Sequence, residues 1–275
     1  MTTTRMARFV TCSVLLALCA PECLRAADLQ PATVAAFERY IRLTEVRIDQ
    51  ELNGQRPFLW VDSLSADDRR DADARLARGE VVVTRMETRD ASKSIGIPDG
   101  LCHHWLGTVF ISGAGLDRVK ALMQSYDQYQ EIYRPAVRAS RLVSRDGDHF
   151  RVYLQLFMNK VVSVVLNTEY DVRYLAKTPK QMQVRSATTR IAEVTDPDTA
   201  RPQEKPVGHD NGFLWRFNNY CAIEERAGGT YVQCESLSLS RGIPTGLGWL
   251  VGPFVTSIPK DTLEFTLKTL VLKSS

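Results

Sequence analysis

The sequence predicts an α+β fold in which a curved antiparallel β-sheet wraps around a long C-terminal helix, preceded by a helical N-terminal extension. Three observations predict it. Two long alternating segments, 213–225 and 231–241, stand next to each other; a one-sided apolar tail follows Pro244; and a strand runs into a helix across 105–133. A sheet that grips a helix in this way is expected to enclose a pocket.

Residues 1–27 read as an export signal. Arg5 and Arg8 lead the mostly apolar run 9–20, and the small residues Ala26 and Ala27 follow. The run is shorter than the roughly 20 apolar residues a membrane anchor needs, and no other stretch could span a bilayer. With cleavage near Ala26 or Ala27 the mature chain is expected to be periplasmic or secreted. The formal charge of +3 then falls to about +1. A nearly neutral chain argues against nucleic acid, whose binding depends on clustered Lys and Arg contacts to phosphate. Three of the six cysteines lie in the signal, leaving Cys102, Cys221 and Cys234, hence at most one disulfide and one spare thiol.

In 33–52 the apolar residues Val34, Phe37, Ile41, Val46 and Ile48 recur among charges at loosely helical spacing. A second helix is expected over 65–78, where Ser65 can cap, Asp67 and Asp68 suit the first turn and Gly79 ends it. Residues 28–79 thus form the helical extension, packed on the main domain as a lid or brace or serving as a spacer.

The domain 80–275 opens with a strand over 80–87, rich in β-branched residues, and a second strand over 101–112. The Ser112-Gly113-Ala114-Gly115 break then turns the chain into a helix. On that helix Leu116, Val119, Leu122, Met123, Tyr126, Tyr129, Ile132 and Tyr133 form one stripe, which Pro135 closes. Three tyrosines on an apolar stripe need partners for their hydroxyls, so a wet pocket wall is expected there. Strands follow over 149–158 and 161–174, joined by a tight turn at Asn159 and Lys160, and over 181–194. The proline-bearing stretch 195–211 reads as a long exposed loop.

A three-residue turn at Ala227-Gly228-Gly229, with glycine in the left-handed position, is expected to close the last hairpin. That register pairs Phe217 with Leu239, Asn219 with Leu237 and Cys221 with Glu235, and it sets Cys221 and Cys234 on opposite faces, unable to join. It turns Trp215, Phe217, Leu237 and Leu239 inward together with the polar Asn219, Glu235 and Arg241. Such groups are costly in a dry core and are relieved by a hydrated cavity; the alternative is a small structural hydrogen-bond network.

The order of elements, and the blocks Gly212-Phe213-Leu214-Trp215-Arg216 and Ser240-Arg241-Gly242-Ile243-Pro244-Thr245-Gly246-Leu247-Gly248-Trp249, resemble the START-like superfamily, also called SRPBCC or helix-grip, and in particular its exported bacterial members. The resemblance covers roughly 80–273 and is best along 105–133 and 212–254; residues 28–79 lie outside it. It implies a deep apolar cavity between the sheet and the terminal helix, used by relatives for lipids, sterols, polyketides, quinones or hormones. The iron-sulfur ligands of its oxygenase branch are missing from this chain.

The candidate ligand-binding residues are therefore Tyr126, Tyr129 and Tyr153 on one side and Trp215, Phe217, Asn219, Glu235, Leu237, Leu239 and Arg241 on the last hairpin. Trp249 and Phe254 on the terminal helix complete the set. No metal or other cofactor is expected: His103 and His104 alternate across a strand, and His149 and His209 stand in or beside turns. Ser257-Ile258-Pro259-Lys260 has serine–lysine spacing but reads as a helix cap, and there is no nucleophile elbow, P-loop or dinucleotide fingerprint. Two function classes remain. One is an exported binding or carrier protein for a lipid-like or other hydrophobic small molecule. The other is a cofactor-free cyclase or dehydratase acting on a hydrophobic substrate, with Glu235 as base and Tyr153 or Tyr129 as acid. The sequence names no protein partner.

Overall fold

The computed structural model describes residues 27–159, 162–243 and 248–274, and for Ala27 and 248–256 it describes the backbone alone. Two helices lead: α1 (Pro31–Leu52) and α2 (Ala66–Ala77), whose Ser65 hydroxyl accepts the Asp68 N–H as the capping pattern predicts. The sheet comprises β1 (Val82–Arg85), β2 (Gly100–Ser112), β3 (Val137–Asp146), β4 (His149–Asn159), β5 (Ser163–Thr178), β6 (Gln181–Thr195), β7 (Arg216–Arg226) and β8 (Gly229–Arg241). Helix α3 (Leu116–Met123) lies between β2 and β3, and the long helix α4 (Gly248–Ser274) follows β8.

The strands form one nine-stranded antiparallel sheet in the order β1-β2-β8-β7-β6-β5-β4-β3, with the short strand Gln203–Glu204 added on β6. Stretch 195–211 is thus pinned at two places, the second being His209–Asp210, which pairs with Ala27–Asp28. Strand β3 has no counterpart in the sequence reading. It is an edge strand with mostly exposed side chains, so it lacks the apolar alternation that marks a strand. The predicted helix over 116–133 is broken: α3 stops at Met123, a 3₁₀ turn follows at Tyr126–Gln128, and a single turn at Tyr129–Ile132. At the break the Ser125 hydroxyl donates to the Leu122 carbonyl at 2.6 Å, a local bond that competes with continuation of the helix.

The last hairpin departs from the expected register by one residue. Arg226 pairs with Gly229 across a two-residue turn, so Phe217 faces Ser238, Asn219 faces Ser236 and Cys221 faces Cys234. Gly228 supplies the turn, at φ +87°. Gly229 is glycine for another reason: a Cβ there would lie 2.2 Å from the Ile111 carbonyl oxygen of β2. With Cys221 and Cys234 directly opposed, Cα atoms 4.1 Å apart, they form a disulfide, contrary to the expectation that they point apart. Cys102 is a free thiol.

The register decides what each face of the sheet buries. On the inner face Gly107, Val109 and Ile111 of β2, Cys221 and Ile223 of β7, and Val232 and Cys234 of β8 pack in one core with Leu263, Leu267 and Leu270 of α4. The helix comes so close that a Cβ on Gly107 would meet Leu267 Cδ1 at 2.6 Å. On the outer face Leu237, Leu239, Trp215 and Tyr220 pack against Phe37, Tyr40 and Ile48 of α1. Phe58, Leu59, Val61 and Leu76 cover Val82 and Ala222 on the same side. The extension is a brace.

A buried polar relay fastens α1 to that face. The Thr88 N–H donates to Tyr40 Oη at 2.7 Å, and Tyr40 Oη lies 2.9 Å from His104 Nδ1. The Glu235 carboxylate can only accept, so His104 Nε2–H donates to its Oε1 while Nδ1 shares a hydrogen bond with the Tyr40 hydroxyl. Arg47 pairs with the same carboxylate and, at 2.6 Å, with Glu51. Burial pushes the Glu235 carboxyl pKa up, but the His104 hydrogen bond and the Arg47 charge outweigh it, and the group sits below the usual carboxylate range. Burial likewise raises the Tyr40 phenol to about 12.

Removing Glu235 takes the acceptor from the buried His104 N–H and leaves Arg47 with Glu51 alone. Glu235→Ala is expected to cost about 3–5 kcal/mol of unfolding free energy. Arg39→Ala, which breaks the exposed Arg39–Asp90 pair, is expected to cost under about 1 kcal/mol. Urea denaturation of both variants at neutral pH checks the contrast.

Candidate functional site: the polar patch on the inner face

Beyond the disulfide and Gly107, toward the end of the sheet at Arg241, the inner face changes character. The positions pointing inward are Leu101, His103 and Trp105 on β2, Phe217 and Asn219 on β7, and Ser236, Ser238 and Ser240 on β8. All are uncharged. Period-two alternation places the three serines on one side of β8, and the pairing sets Ser236 between Asn219 and Trp105, and Ser238 between Phe217 and His103.

Two kinds of surface meet here. Trp105 and Phe217 are half-buried, and Phe217 stands edge-on to Tyr170 with ring centres 6.5 Å apart. Between them the polar groups are deeply placed: Ser236 and Ser238 are each 6% exposed and Ser240 7%. His103 Nε2 lies 3.2 Å from Ser240 Oγ, and Asn219 Nδ2 donates to Cys221 Sγ at 3.2 Å. The hydroxyls of Ser236 and Ser238 make no hydrogen bond to a described residue, yet neither oxygen is among the fully buried polar atoms left unsatisfied. Burial pushes His103 down to about 4, with the nearby Arg85 charge acting the same way, so its imidazole is neutral near pH 7.

Of the sequence-predicted residues, Phe217 and Asn219 belong to this patch. Glu235, Leu237, Leu239 and Arg241 face the other way, because the one-residue change of register exchanges the faces of β8 against β7, and Trp215, just before β7, also packs in the outer cluster. Glu235 is held in the relay under α1, and Trp215 Nε1 donates to the buried Asp210 at 3.0 Å. Arg241 donates its backbone N–H to the Gly212 carbonyl at 2.8 Å. Tyr153 also points to the outer side and donates to Asn167 at 2.8 Å. Tyr126 and Tyr129 sit in filled core instead of a wet wall: Tyr126 Oη bonds Tyr174 Oη at 2.8 Å, and Tyr129 donates to the Met123 carbonyl at 2.5 Å. The Trp249 and Phe254 side chains lie outside the described residues. His103, Trp105, Ser236, Ser238 and Ser240 were missed; the signal was the Ser-Leu-Ser-Leu-Ser alternation of 236–240, which fits a strand with two differently buried faces. Among the described residues no His, Cys, Asp or Glu cluster could hold a metal ion. Two shallow clefts flank α1, of about 410 Å³ beside Pro31 and Arg216 and about 300 Å³ beside Arg39 and Asp90, both away from the inner face.

The helix-grip architecture implied by the resemblance is present: a large antiparallel sheet closed by a C-terminal helix, with the N-terminal helices added outside. No protein-family model matches the sequence, and no curated protein matches it. Solved structures of the START-like superfamily are similar in fold. A STAR-related lipid transfer protein from Xanthomonas axonopodis is 18% identical, with a TM-score of 0.43 over 70% of this chain and 98% of that one. An aromatase/cyclase from Streptomyces sp. R1128 is 11% identical, with a TM-score of 0.41 over 63% and 94%. Human STARD10 is 9% identical, with a TM-score of 0.42 over 76% and 81%. These likenesses concern the fold alone.

The buried imidazole makes stability depend on pH. Its folded-state pKa, about 4, lies below the ordinary 6.5, so as pH falls the unfolded chain takes up the proton first. The contribution is complete above about pH 6.5 and drains away toward pH 4, about 3 kcal/mol in all. His103→Gln is expected to lose less stability than wild type between pH 7 and pH 4, by up to that amount, in parallel urea titrations.

Proposed function

We propose that the protein is an exported carrier that shelters a hydrophobic small molecule between the inner face of the sheet and α4. The observation that carries this reading is the patch itself: aromatic side chains left half-buried beside deeply placed hydroxyls, two of which make no hydrogen bond to a described residue. An apolar molecule over Trp105 and Phe217 would remove apolar surface from water at about 25 cal/mol per Å², while its polar atoms would meet the hydroxyls. Fold likeness to lipid-transfer and to aromatase/cyclase proteins is compatible with either class of activity. The enzyme reading, however, drew its base and acids from Glu235, Tyr129 and Tyr153, which are engaged away from the patch. Export is supported by the leader-like residues 1–27 and by the Cys221–Cys234 disulfide, a bond typical of oxidising compartments.

Native mass spectrometry of the protein purified from its producing cells, followed by organic extraction, tests the reading. An apolar compound retained at one per chain is expected, with occupancy at least about tenfold lower in a Trp105→Ala/Phe217→Ala variant. A chain that carries nothing and also fails to bind the apolar dye N-phenyl-1-naphthylamine would exclude a carrier.

A further inference from the structure

Edge strand β1 adds one charge to the inner face. Residues that face each other on adjacent antiparallel strands point to the same side of the sheet, and the pairing sets Val83 opposite Gly107 and Arg85 opposite Trp105. Val83 packs in the inner core, so Arg85, two residues on, turns to that face as well. One row of inward positions then runs Arg85, Trp105, Ser236, Asn219 across β1, β2, β8 and β7, with His103, Ser238 and Phe217 in the row beside it. Three strand spacings, about 14 Å, separate β1 from β7. The Arg85 side chain is exposed at the rim, and its guanidinium makes no hydrogen bond or ion pair with a described residue.

We propose that Arg85 holds the anionic head of an amphiphile, a carboxylate or a phosphate, whose apolar chain crosses Trp105 toward Phe217. The inference rests on the carrier reading and names its ligand class. A guanidinium offers paired N–H donors that match the oxygens of either head. Nothing nearby uses that charge. Glu87, the next acid along the chain, accepts from Ser94 at 2.5 Å and from Arg89 at 2.8 Å, and the inward positions of β2, β7 and β8 carry no acid. Helix α4 from Gly248 to Pro259 carries no charged residue, so that stretch brings neither a competing acid nor a second cation. His103 stays neutral, since burial and the Arg85 charge both disfavour its protonation. The two ends of the ligand therefore meet different surroundings. At the exposed rim the anion keeps part of its hydration while it pairs with Arg85, and farther in the chain covers half-buried rings and is removed from water.

Displacement of N-phenyl-1-naphthylamine by four probes of one chain length tests the assignment: palmitate, hexadecyl phosphate, 1-hexadecanol and hexadecyltrimethylammonium. Both anions are expected to bind wild type about tenfold or more tightly than hexadecanol, and the cation most weakly. In Arg85→Gln the anions are expected to lose about tenfold, with the dye and hexadecanol within about twofold of wild type. Arg85→Glu is expected to place the cation ahead of the anions. Since the Arg85 side chain is exposed and bonds no described residue, both variants are expected to melt where wild type does. The tighter of the two anions tells whether the head is a carboxylate or a phosphate, and either order supports the inference. Hexadecanol binding wild type as tightly as the anions would overturn it, as would an Arg85→Gln variant that loses all probes equally or none. If neither the dye nor any probe binds wild type, the carrier reading fails and the inference with it; if the dye binds and charge makes no difference, only the ligand class falls.

Discussion

Everything distinctive in this molecule depends on the register of one hairpin. Gly229 is crowded against the Ile111 carbonyl of β2 and cannot carry a side chain, so it belongs to the strand; Ala227 and Gly228 alone make the turn. From that point each residue of β7 is committed to a face. Cys221 meets Cys234, the leucines of β8 turn outward and its serines turn inward. A slip of one residue would exchange every one of these assignments.

Both faces of the sheet can be buried because the N-terminal extension closes the outer one. Leu237 and Leu239 have a core to enter only when α1 lies on them, and the relay from Tyr40 through His104 to Glu235 and Arg47 fixes α1 in place. With the bulky residues used there, the inner face of β8 is left with small hydroxyls. A packed zone around Gly107, Leu263 and Leu267 therefore gives way to a polar band with aromatic flanks. Large apolar side chains and small hydroxyls are thus divided between opposite sides of the same strand.

Much of the architecture was legible in the sequence. Helix spacing, the Ser65 cap and most strands stood out, because each has a local periodic or capping signal. Strand β3 did not, since an edge strand with polar side chains carries no alternation. The site was legible in small part. Burial of large apolar side chains was used to choose the register, and that criterion assumes one buried face; here two are buried, and pairing Phe217 with Ser238 wastes nothing. The Gly228-Gly229 pair was read as turn geometry, whereas the second glycine answers to a neighbouring strand distant in sequence. Phe217 and Asn219 kept their inward facing because β7 was oriented correctly; Glu235, Leu237, Leu239 and Arg241 lost theirs because β8 was shifted against it.

The register is tested most directly by mapping the cysteines of the unreduced protein after proteolysis between Arg226 and Ala227. The structure predicts one covalently linked pair of peptides joining Cys221 to Cys234, with the Cys102 thiol free to alkylate once the chain is unfolded. Recovery of Cys221 and Cys234 as separate alkylated thiols would contradict the pairing, and with it the assignment of the serine band to the inner face.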